Sequence, residues 1–590
     1  RIGIFSIMSL FHMVKDMDMT IEEVDKLTGP VIGRPKSATF RTVDVVGLDT
    51  LVHVANGLYD NVPKDERHDL FKLPDFIEHM MNKKWLGSKT GQGFYKKVKK
   101  DDGSSEIKSL DLNSLEYRDK KSARFDTLEK TKSVDDVADR FSILIDGNDK
   151  AGEFYRKNFA ALFAYVQNRI PEITDTLYKI DDAMKAGFGW QHGPFQIWDA
   201  IGLEKGIQLM KDEGFEIADW ITTLSKSKEN SFYHVKSGKT YFYDIEKKNH
   251  EKIPGQDAFI ILDNIRESNE VFSNKDLVAE DLGDGILNIE FRSKMNSIGG
   301  DVLNGINAAM DIAEKEFDGV VVSNTGQNFS VGANIGMIFM FAVEQEYEEL
   351  NGAIKYFQDT MMRMRYSSIP TVVAPHQMAL GGGCELSMHA DKVVAHAETY
   401  IGLVEFGVGV IPGGGGSKEM TRRAAMTFQK DDVELNRLRE NFLTIGMAKV
   451  AKSAHEAYDL NILERGKDIV VVSRDRQLAI AKEEAKVMAQ NGYTQPVKTN
   501  NIKVLGRQAL GAFLVGTDQM KAGKYISEHD QKIANKLAYV MSGGDLSEAN
   551  YVSEQYLLDL EREAFLSLCG ERKTLERLQH MIKKGKPLRN

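Results

Sequence analysis

The chain has 590 residues, of which 42% are hydrophobic and 28% are charged, and its formal net charge is −10. A chain of this length exceeds one hydrophobic core and predicts about three or four globular domains. The negative charge argues against broad nucleic-acid binding, which depends on Lys and Arg neutralising phosphates. It does not exclude a local basic pocket for an anionic small ligand.

Cysteine content and hydropathy indicate where the chain is expected to work. Cys384 and Cys569 are the only two cysteines, too few for a disulfide framework or a Cys-rich zinc site. They favour a reducing compartment, and we expect a cytoplasmic location. The longest apolar run, at residues 335–343, is too short to cross a bilayer, so no membrane insertion is expected.

The first residues superficially resemble a signal peptide, because Arg1 precedes an apolar stretch at residues 2–13. Lys15 and Asp16 follow at once without a small-residue cleavage site, which rejects that interpretation. Since the chain opens directly in an apolar stretch and its first residue is not Met, the sequence predicts that it starts inside a longer natural protein.

A degenerate repeat organises the first half. The pattern Phe-x-x-x-Asp-x-x-Gly-Leu occurs at residues 40–48 and returns at residues 195–203, an offset of 155 residues. Apolar residues recur at helical spacing around both copies, which predicts two similar helical domains at residues 1–98 and 140–227. The alternative is a chance match of a short pattern.

The segments next to these copies have different compositions. Residues 99–139 are crowded with Lys, Asp, Glu and Ser, which predicts an exposed charged linker. Aromatic and polar residues alternate around residues 236–239, which predicts a β-hairpin connector within residues 228–254.

The second half has an α/β rhythm. Strand-like segments at residues 286–291, 319–323 and 371–374 alternate with longer helical patterns, which predicts an α/β domain at residues 255–480. Residues 481–590 predict a helical C-terminal region.

The most informative segment is Ala-Leu-Gly-Gly-Gly-Cys-Glu-Leu at residues 379–386. It follows a predicted strand, and a helical pattern begins near Cys384. Glycines there let a ligand approach the backbone, and the helix directs free N–H groups and a positive dipole end toward it. The alternative is a simple glycine turn in which the dipole favours Glu385.

A second carboxylate, Glu405, lies in the apolar, glycine-rich segment at residues 401–416. Desolvation there would raise its pKa and suit it to general-acid catalysis, whereas the alternative is an exposed loop carboxylate. A third segment at residues 327–335 contains Gly-Ala-Asn after a predicted strand and is a weak signal alone.

Together these segments resemble the crotonase (enoyl-CoA hydratase/isomerase) superfamily. Residues 332–334 match its Gly-Ala-Asp, with Asn334 in place of Asp, and residues 379–385 carry its Ala-Leu-Gly-Gly-Gly-Cys-Glu intact. Residues 405–416 match its Glu-x-x-x-Gly-x-Ile-Pro-Gly-x-Gly-Gly. Gly414 replaces a common Ala, and His376 replaces a frequent Asn and is expected to pack under the loop. The resemblance implies an α/β crotonase fold of the ββα spiral type, an acyl-CoA thioester substrate and a homo-oligomer.

The resemblance also implies residue roles. Glu385 would deprotonate the water that attacks C3 of a 2-trans-enoyl-CoA, and Glu405 would protonate C2. The backbone N–H groups of Ala333 and Gly382 would form an oxyanion hole. Substrate-binding loops would include Ser330, Val331, Gly332, Gly381, Gly383, Pro412 and Gly413. Neither a metal nor a redox cofactor is implied for this reaction. Two carboxylates favour a hydratase, but an enoyl-CoA isomerase and a non-catalytic acyl-CoA-binding or oligomerisation scaffold are alternatives.

The first half resembles the C-terminal helical domains of 3-hydroxyacyl-CoA dehydrogenases. The similarity lies at residues 33–48 and 193–203 and in Lys-Thr-Gly-Gln-Gly-Phe-Tyr at residues 89–95. Such domains before a crotonase domain resemble the bifunctional enzymes of fatty-acid β-oxidation. An NAD-binding Rossmann domain precedes them in that family, and this sequence has no Gly-x-Gly-x-x-Gly turn after a strand. We therefore expect a hydratase here, with NAD and dehydrogenase activity belonging to a longer parent protein.

Overall fold

The computed structural model describes residues 1–100, 103–498 and 500–590. These residues form two compact units, Arg1–Pro254 and Gly255–Asn590. Among the described residues, no helix combines the length and apolarity needed to cross a bilayer.

The first unit is mainly helical and carries two small antiparallel sheets, with strand orders β1-β2-β3 and β4-β5-β6. Its core is a single cluster rich in Phe, Tyr and Trp side chains. The elements in chain order are α1 (Ile2–Asp16), α2 (Ile21–Leu27), α3 (Phe40–Val46), α4 (Leu48–Asn61), α5 (Asp75–Asn82), β1 (Tyr95–Lys99), β2 (Ser105–Leu110), β3 (Tyr117–Asp119), α6 (Asp126–Lys130), α7 (Val137–Ile145), α8 (Lys150–Gln167), α9 (Leu177–Phe188), α10 (Pro194–Ile201), α11 (Leu203–Asp212), α12 (Asp219–Ser225), β4 (Tyr233–Lys236), β5 (Lys239–Asp244) and β6 (Asn249–Lys252).

A buried aspartate joins the helices of the first repeat copy to its small sheet. Asp44, on α3, accepts hydrogen bonds from the N–H groups of Phe94 and Tyr95, both at 2.8 Å. The Tyr95 hydroxyl donates to Asp25 on α2 at 2.7 Å. The Phe-Tyr pair that ends the signature at residues 89–95 is therefore the point where the sheet attaches.

The second copy repeats this arrangement, which confirms the predicted repeat. Asp199, on α10, accepts hydrogen bonds from the N–H groups of Phe232 and Tyr233, both at 2.8 Å. The Tyr233 hydroxyl donates to Asp181 on α9 at 2.8 Å. The predicted hairpin is also confirmed as β4 and β5, and with β6 it forms the counterpart of the sheet β1-β2-β3.

The second unit is built on a seven-stranded sheet with the order β15-β13-β11-β10-β9-β8-β7. Its elements are α13 (Leu262–Asn269), β7 (Glu270–Ser273), β8 (Leu277–Asp281), β9 (Ile286–Phe291), α14 (Gly300–Glu316), β10 (Gly319–Val322), α15 (Ile335–Glu344), α16 (Tyr347–Arg365), β11 (Thr371–Val373), β12 (Met378–Leu380), α17 (Gly382–His389), β13 (Lys392–His396), β14 (Tyr400–Gly402), α18 (Gly416–Met426), α19 (Glu434–Gly446), α20 (Ala454–Asp459), β15 (Ile469–Val471), α21 (Arg474–Gln490), β16 (Ile502–Val504), α22 (Gly506–Ala522), α23 (Glu528–Met541), β17 (Asn550–Val552), α24 (Glu554–Cys569) and α25 (Arg572–Lys584).

Strands β9, β10, β11, β13 and β15 pair in parallel, whereas β7 and β8 are antiparallel. Both faces of the sheet are buried, as its continuous Val and Ile runs require. The three strands predicted from the sequence appear as β9, β10 and β11. Strand β12 then leaves the main sheet for a two-stranded sheet and leads into α17, a ββα sequence.

Three of the expected domain boundaries are wrong. The boundary at residues 98/99 falls inside β1, the one at 139/140 inside α7, and the one at 480/481 inside α21. The described part of the expected linker at residues 99–139 contains strands β2 and β3 and helix α6. A small sheet with a solvated face has few apolar side chains, so its composition resembles that of a linker.

The aspartates that hold the small sheets predict a local stability effect. We expect Asp44→Ala and Asp199→Ala each to lower the free energy of unfolding by about 2–4 kcal/mol, because each leaves buried N–H groups without an acceptor. All four tryptophans, Trp85, Trp190, Trp198 and Trp220, lie in the first unit, so tryptophan fluorescence during denaturant unfolding reports this unit.

The matched control is Asp182→Ala. Asp182 is exposed, its partner Lys185 lies 3.0 Å away, and its loss is expected to change the free energy by less than about 0.5 kcal/mol. If Asp44→Ala and Asp199→Ala had the same free energy of unfolding as this control, the aspartate hydrogen bonds would not stabilise the first unit.

Candidate active site

Parallel pairing brings the two predicted catalytic segments to one edge. Strands β12 and β14 pair in parallel, with Leu380 opposite Gly402. The N–H of Gly381 donates to the carbonyl of Gly402 at 2.9 Å. Because both strands end at the same edge, the residues that follow them, including Glu385 and Glu405, are delivered to one place.

The segment at residues 330–333 runs alongside β12. The Ser330 N–H donates to the carbonyl of Met378, and the Leu380 N–H donates to the carbonyl of Ser330, both at 3.0 Å. Gly332 has φ +94, and a Cβ there would lie 2.7 Å from the Leu380 carbonyl oxygen. Only glycine fits this position, where two backbones approach so closely.

Ala333 and Gly382 present the N–H groups expected to form an oxyanion hole. A Cβ on Gly382 would lie 3.3 Å from the Ala333 nitrogen, so the two backbones are neighbours. Within the described part of the chain, neither N–H donates a hydrogen bond. Gly382 is the first residue of α17, where helix geometry leaves the N–H groups without partners.

Glu385 is buried in the first turn of α17, as predicted. Its Oε1 accepts hydrogen bonds from the N–H groups of Gly414 and Gly416, both at 2.8 Å. Burial raises the pKa of Glu385 well above its ordinary value, and the carboxylates of Glu405 and Glu561 add to the rise. The two N–H donors oppose this rise because they stabilise the anion.

Glu405 begins a 3₁₀ helix, Glu405–Val408. Its Oε1 would lie 3.1 Å from a Cβ on Gly381, which places the carboxylate beside the glycine loop. Its Oε2 is buried and has no hydrogen-bond partner among the described residues. Burial raises the pKa of Glu405 to about 7, and the nearby Glu561 carboxylate adds to this effect.

The other predicted loop residues lie around these groups. A Cβ on Gly383 would lie 2.8 Å from Cβ of Ser330, so the two loops are packed together, and Val331 is half-buried at the turn. Pro412 is buried, and a Cβ on Gly413 would lie 2.7 Å from the ring of Phe565 on α24.

Phe357, on α16, is a wall residue that sequence analysis missed. Its ring would lie 2.8 Å from a Cβ on Gly382 and 2.5 Å from a Cβ on Gly414. A Cβ on Gly414 would also lie 2.6 Å from Oε2 of Glu385. The Gly at position 414, unusual for the resembled family, therefore makes room for Phe357 and the carboxylate.

Glu561 is a third buried carboxylate that the sequence interpretation missed. It lies on α24, and its Oε1 accepts from the Gly415 N–H at 2.6 Å and from Gln358 Nε2 at 3.2 Å. Its Oε2 accepts from the Lys418 N–H at 3.1 Å. The available signal was its spacing: Glu561 falls four residues from both Leu557 and Phe565, on the apolar face of a predicted helix.

A charged cluster lies behind α17. His389 Nδ1 donates to the Glu385 carbonyl at 2.6 Å, because a carbonyl only accepts. Its Nε2 therefore accepts from Lys418 Nζ at 2.9 Å, and Lys418 also donates to Glu554 at 2.9 Å. Burial lowers the pKa of His389 well below its ordinary value. This histidine supports α17.

Asn334 and His376, two departures from the resembled family, have structural contacts. The Asn334 side chain caps α15 by accepting from the N–H groups of Gly336 and Met337. His376 is buried, and its Nε2 lies 2.8 Å from the Gly326 carbonyl oxygen. Burial lowers the pKa of His376 to about 3, which keeps the ring neutral.

Two families match separate parts of the chain. The enoyl-CoA hydratase/isomerase family matches residues 281–433, which contain the edge described above. The 3-hydroxyacyl-CoA dehydrogenase C-terminal domain family matches residues 1–97, which contain the first repeat copy.

Similar solved structures include an enoyl-CoA hydratase from Mycobacterium avium subsp. paratuberculosis K-10, at 16% identity and a TM-score of 0.35. That similarity covers 54% of this chain and 100% of the other. An enoyl-CoA hydratase from Bacillus halodurans has 14% identity and a TM-score of 0.35, over 52% of this chain and 99% of the other.

Relatives match along the whole chain. A protein of Bacillus subtilis (strain 168) named "Probable 3-hydroxyacyl-CoA dehydrogenase" is 41% identical over 100% of this chain and 73% of its own length. A protein of Rickettsia prowazekii (strain Madrid E), named as a fatty acid oxidation complex trifunctional enzyme, is 25% identical over 99% of this chain and 72% of its own length. The chain therefore belongs to the 3-hydroxyacyl-CoA dehydrogenase family of fatty-acid oxidation enzymes that also carry an enoyl-CoA hydratase/isomerase domain.

Proposed function

We propose that the second unit is an enoyl-CoA hydratase that adds water to 2-trans-enoyl-CoA and forms 3-hydroxyacyl-CoA. The observation that carries this proposal is the pair Glu385 and Glu405, which two parallel strands deliver to one edge. At this edge the N–H groups of Ala333 and Gly382 donate to no described residue. Hydration needs one group that takes a proton and one that gives a proton, and this edge offers both.

The thioester carbonyl would accept hydrogen bonds from the N–H groups of Ala333 and Gly382. These donors stabilise the negative charge that develops on the carbonyl oxygen, a contribution typically worth about 3–4 kcal/mol per donor. Charge then accumulates on the oxygen as an enolate while the nucleophile adds at C3.

Glu385 would take a proton from the attacking water, and the oxygen of that water would bond to C3. The two N–H donors at Glu385 stabilise its carboxylate against the rise in pKa that burial causes, and a base requires this ionised form. Glu405 would give its proton to C2. Among the described residues its Oε2 has no such donor, and a pKa raised to about 7 leaves a large share of the group protonated near neutral pH. Because nearby buried carboxylates cannot all ionise, the pair shares protons in the manner that acid–base catalysis needs.

Both proton transfers use the chain's own carboxylates, so we propose that hydration needs no metal or redox cofactor. NAD is proposed only for the dehydrogenase activity of the family. The CoA thioester is the proposed substrate, and a cytoplasmic homo-oligomer is the proposed working form.

A Δ3,Δ2-enoyl-CoA isomerase is the second candidate function. Oε2 of Glu405, which has no hydrogen-bond partner in the part of the chain that the structure describes, favours it, since isomerisation can use one carboxylate as a base that moves a proton between carbons. Glu385 separates the two functions: hydration requires it, and isomerisation does not. A scaffold that only binds acyl-CoA would require neither carboxylate.

The first test removes one carboxylate at a time. We expect Glu385→Gln and Glu405→Gln each to lower kcat for crotonyl-CoA hydration by about 10²–10⁴-fold with little change in KM, because each acts in proton transfer. The measurement is the loss of enone absorbance in the full chain. Glu398→Gln, at an exposed position between them, is the matched control and should keep normal turnover.

Glu385→Gln should also be assayed with a 3-enoyl-CoA. Loss of hydration fits the hydratase proposal. Two results together would replace the hydratase proposal with the isomerase. The wild-type chain would fail to hydrate crotonyl-CoA, and Glu385→Gln would isomerise the 3-enoyl-CoA at the wild-type rate.

The second test is the pH dependence of kcat/KM. The folded pKa of Glu405 lies above that of a free carboxyl, so its proton is present below about pH 7 and is lost as pH rises through that value. We expect kcat/KM for crotonyl-CoA to fall on the alkaline side of about pH 7, because the general acid becomes ionised. Glu405→Gln should remove this alkaline limb along with most of the rate, whereas an unchanged limb in that variant would assign the titration to another group.

A further inference from the structure

The three-stranded sheet of the second repeat copy carries a cluster of side chains that the proposed hydratase reaction does not use. Glu229 precedes β4, His234 lies on β4 and His250 lies on β6. One ligand atom from each of these three residues lies within 4.8 Å of the others.

The spacing of these atoms suits a metal ion. Oε2 of Glu229 lies 3.2 Å from Nδ1 of His234 and 3.6 Å from Nδ1 of His250. Ligands about 2.0–2.1 Å from a tetrahedral zinc ion are about 3.3 Å apart. The two observed distances bracket this value.

The second nitrogen of His250 determines which atom is free. Nε2 lies 2.8 Å from the carbonyl oxygen of Ser231 and must donate the hydrogen, because a carbonyl only accepts. In the neutral ring Nδ1 then carries a lone pair that faces the Glu229 carboxylate. A histidine whose other nitrogen donates to a backbone carbonyl is the usual arrangement of a metal ligand.

His234 gives an independent observation. Its Nδ1 is buried and forms no hydrogen bond with any described residue, although the Glu229 oxygen lies nearby. The ring stacks on Tyr241 at 5.1 Å, and His250 packs edge-on against Tyr243 at 5.5 Å, so both rings are held in place. Two nitrogens on oriented rings and a carboxylate oxygen thus lie close together, each able to serve as a metal ligand.

The first repeat copy shows that the repeated fold does not demand these side chains. Aligned on the shared Phe-Tyr pair, residues 94–95 and 232–233, the position of His234 is occupied by Lys96 and that of Glu229 by Gly91. The first copy nevertheless forms the same small sheet with the same aspartate attachment.

We propose that Glu229, His234 and His250 form a binding site for a divalent first-row transition-metal ion of the zinc type. Imidazole nitrogens and a carboxylate oxygen are the donor set that such ions prefer, and water would complete the coordination. Glu229 is exposed, which gives the ion a path from solvent. The ion would tie the segment before β4 to the last strand of the sheet.

The test uses the full chain after treatment with a chelator and removal of the chelator. Zn²⁺ is titrated by calorimetry, and Co²⁺ is titrated by visible absorption, which reports coordination geometry. We expect one equivalent per chain at this site. His234→Gln, His250→Gln and Glu229→Gln should each weaken Zn²⁺ binding by more than about 100-fold, beyond the 10–100-fold typical of losing an outer-shell partner.

The matched controls are His53→Gln and Glu251→Gln. His53 is an exposed histidine of the same unit, and Glu251 is a carboxylate on β6 that pairs with Lys247. Both should bind Zn²⁺ like the unchanged chain. Zn²⁺ should also raise the Tm followed by tryptophan fluorescence in the unchanged chain and the controls but not in the three site variants.

Two results would overturn the proposal. One is an unchanged chain that binds Zn²⁺ and Co²⁺ no more tightly than the variant carrying all three substitutions. The other is binding that the three substitutions leave intact, which would place the ion elsewhere. Neither result depends on hydratase activity, so failure here is distinguishable from failure of the proposed reaction.

Discussion

Buried carboxylates that accept hydrogen bonds from backbone N–H groups hold the key positions of both units. Asp44 and Asp199 attach the small sheets in this way, and Glu385 and Glu561 hold the loop at residues 414–418. Burying a carboxylate is costly unless donors satisfy it, so each of these groups also specifies where the donating backbone must lie. The same interaction therefore attaches a small sheet in the first unit and holds the proposed catalytic loop in the second.

Short-range motifs made much of the second unit predictable. The strands β9, β10 and β11 were readable from runs of Val and Ile, and the glycine segments identified the positions of Glu385 and Glu405. Each of those signals lies within about a dozen residues. Glu561 and Phe357 were missed because their partners are distant along the chain: Glu561 bonds Gly415 across 146 residues. Pattern reasoning within a window does not join such segments.

The small sheet of the first repeat copy was the second feature that could not be predicted from the sequence. The sheet β1-β2-β3 exposes charged side chains such as Lys97, Lys99 and Asp119 and buries few residues, so it has the composition of a solvated linker. The sheet is attached through Asp44, which accepts a hydrogen bond from the N–H of Phe94, 50 residues later in the chain. The two copies share the positions of their aspartates, whereas the side chains of their strands differ at almost every position.

The position of Glu561 late in the chain has a consequence for synthesis. A ribosome that adds about 5–20 residues per second makes Gly415 roughly 7–30 s before Glu561. During that interval the nascent chain holds both proposed catalytic glutamates, but the Glu561 carboxylate that binds the loop at residues 415–418 has not yet been made. The proposed acyl-CoA chemistry is therefore expected only late in synthesis, after α24 has been made and has packed against the loop at residues 415–418.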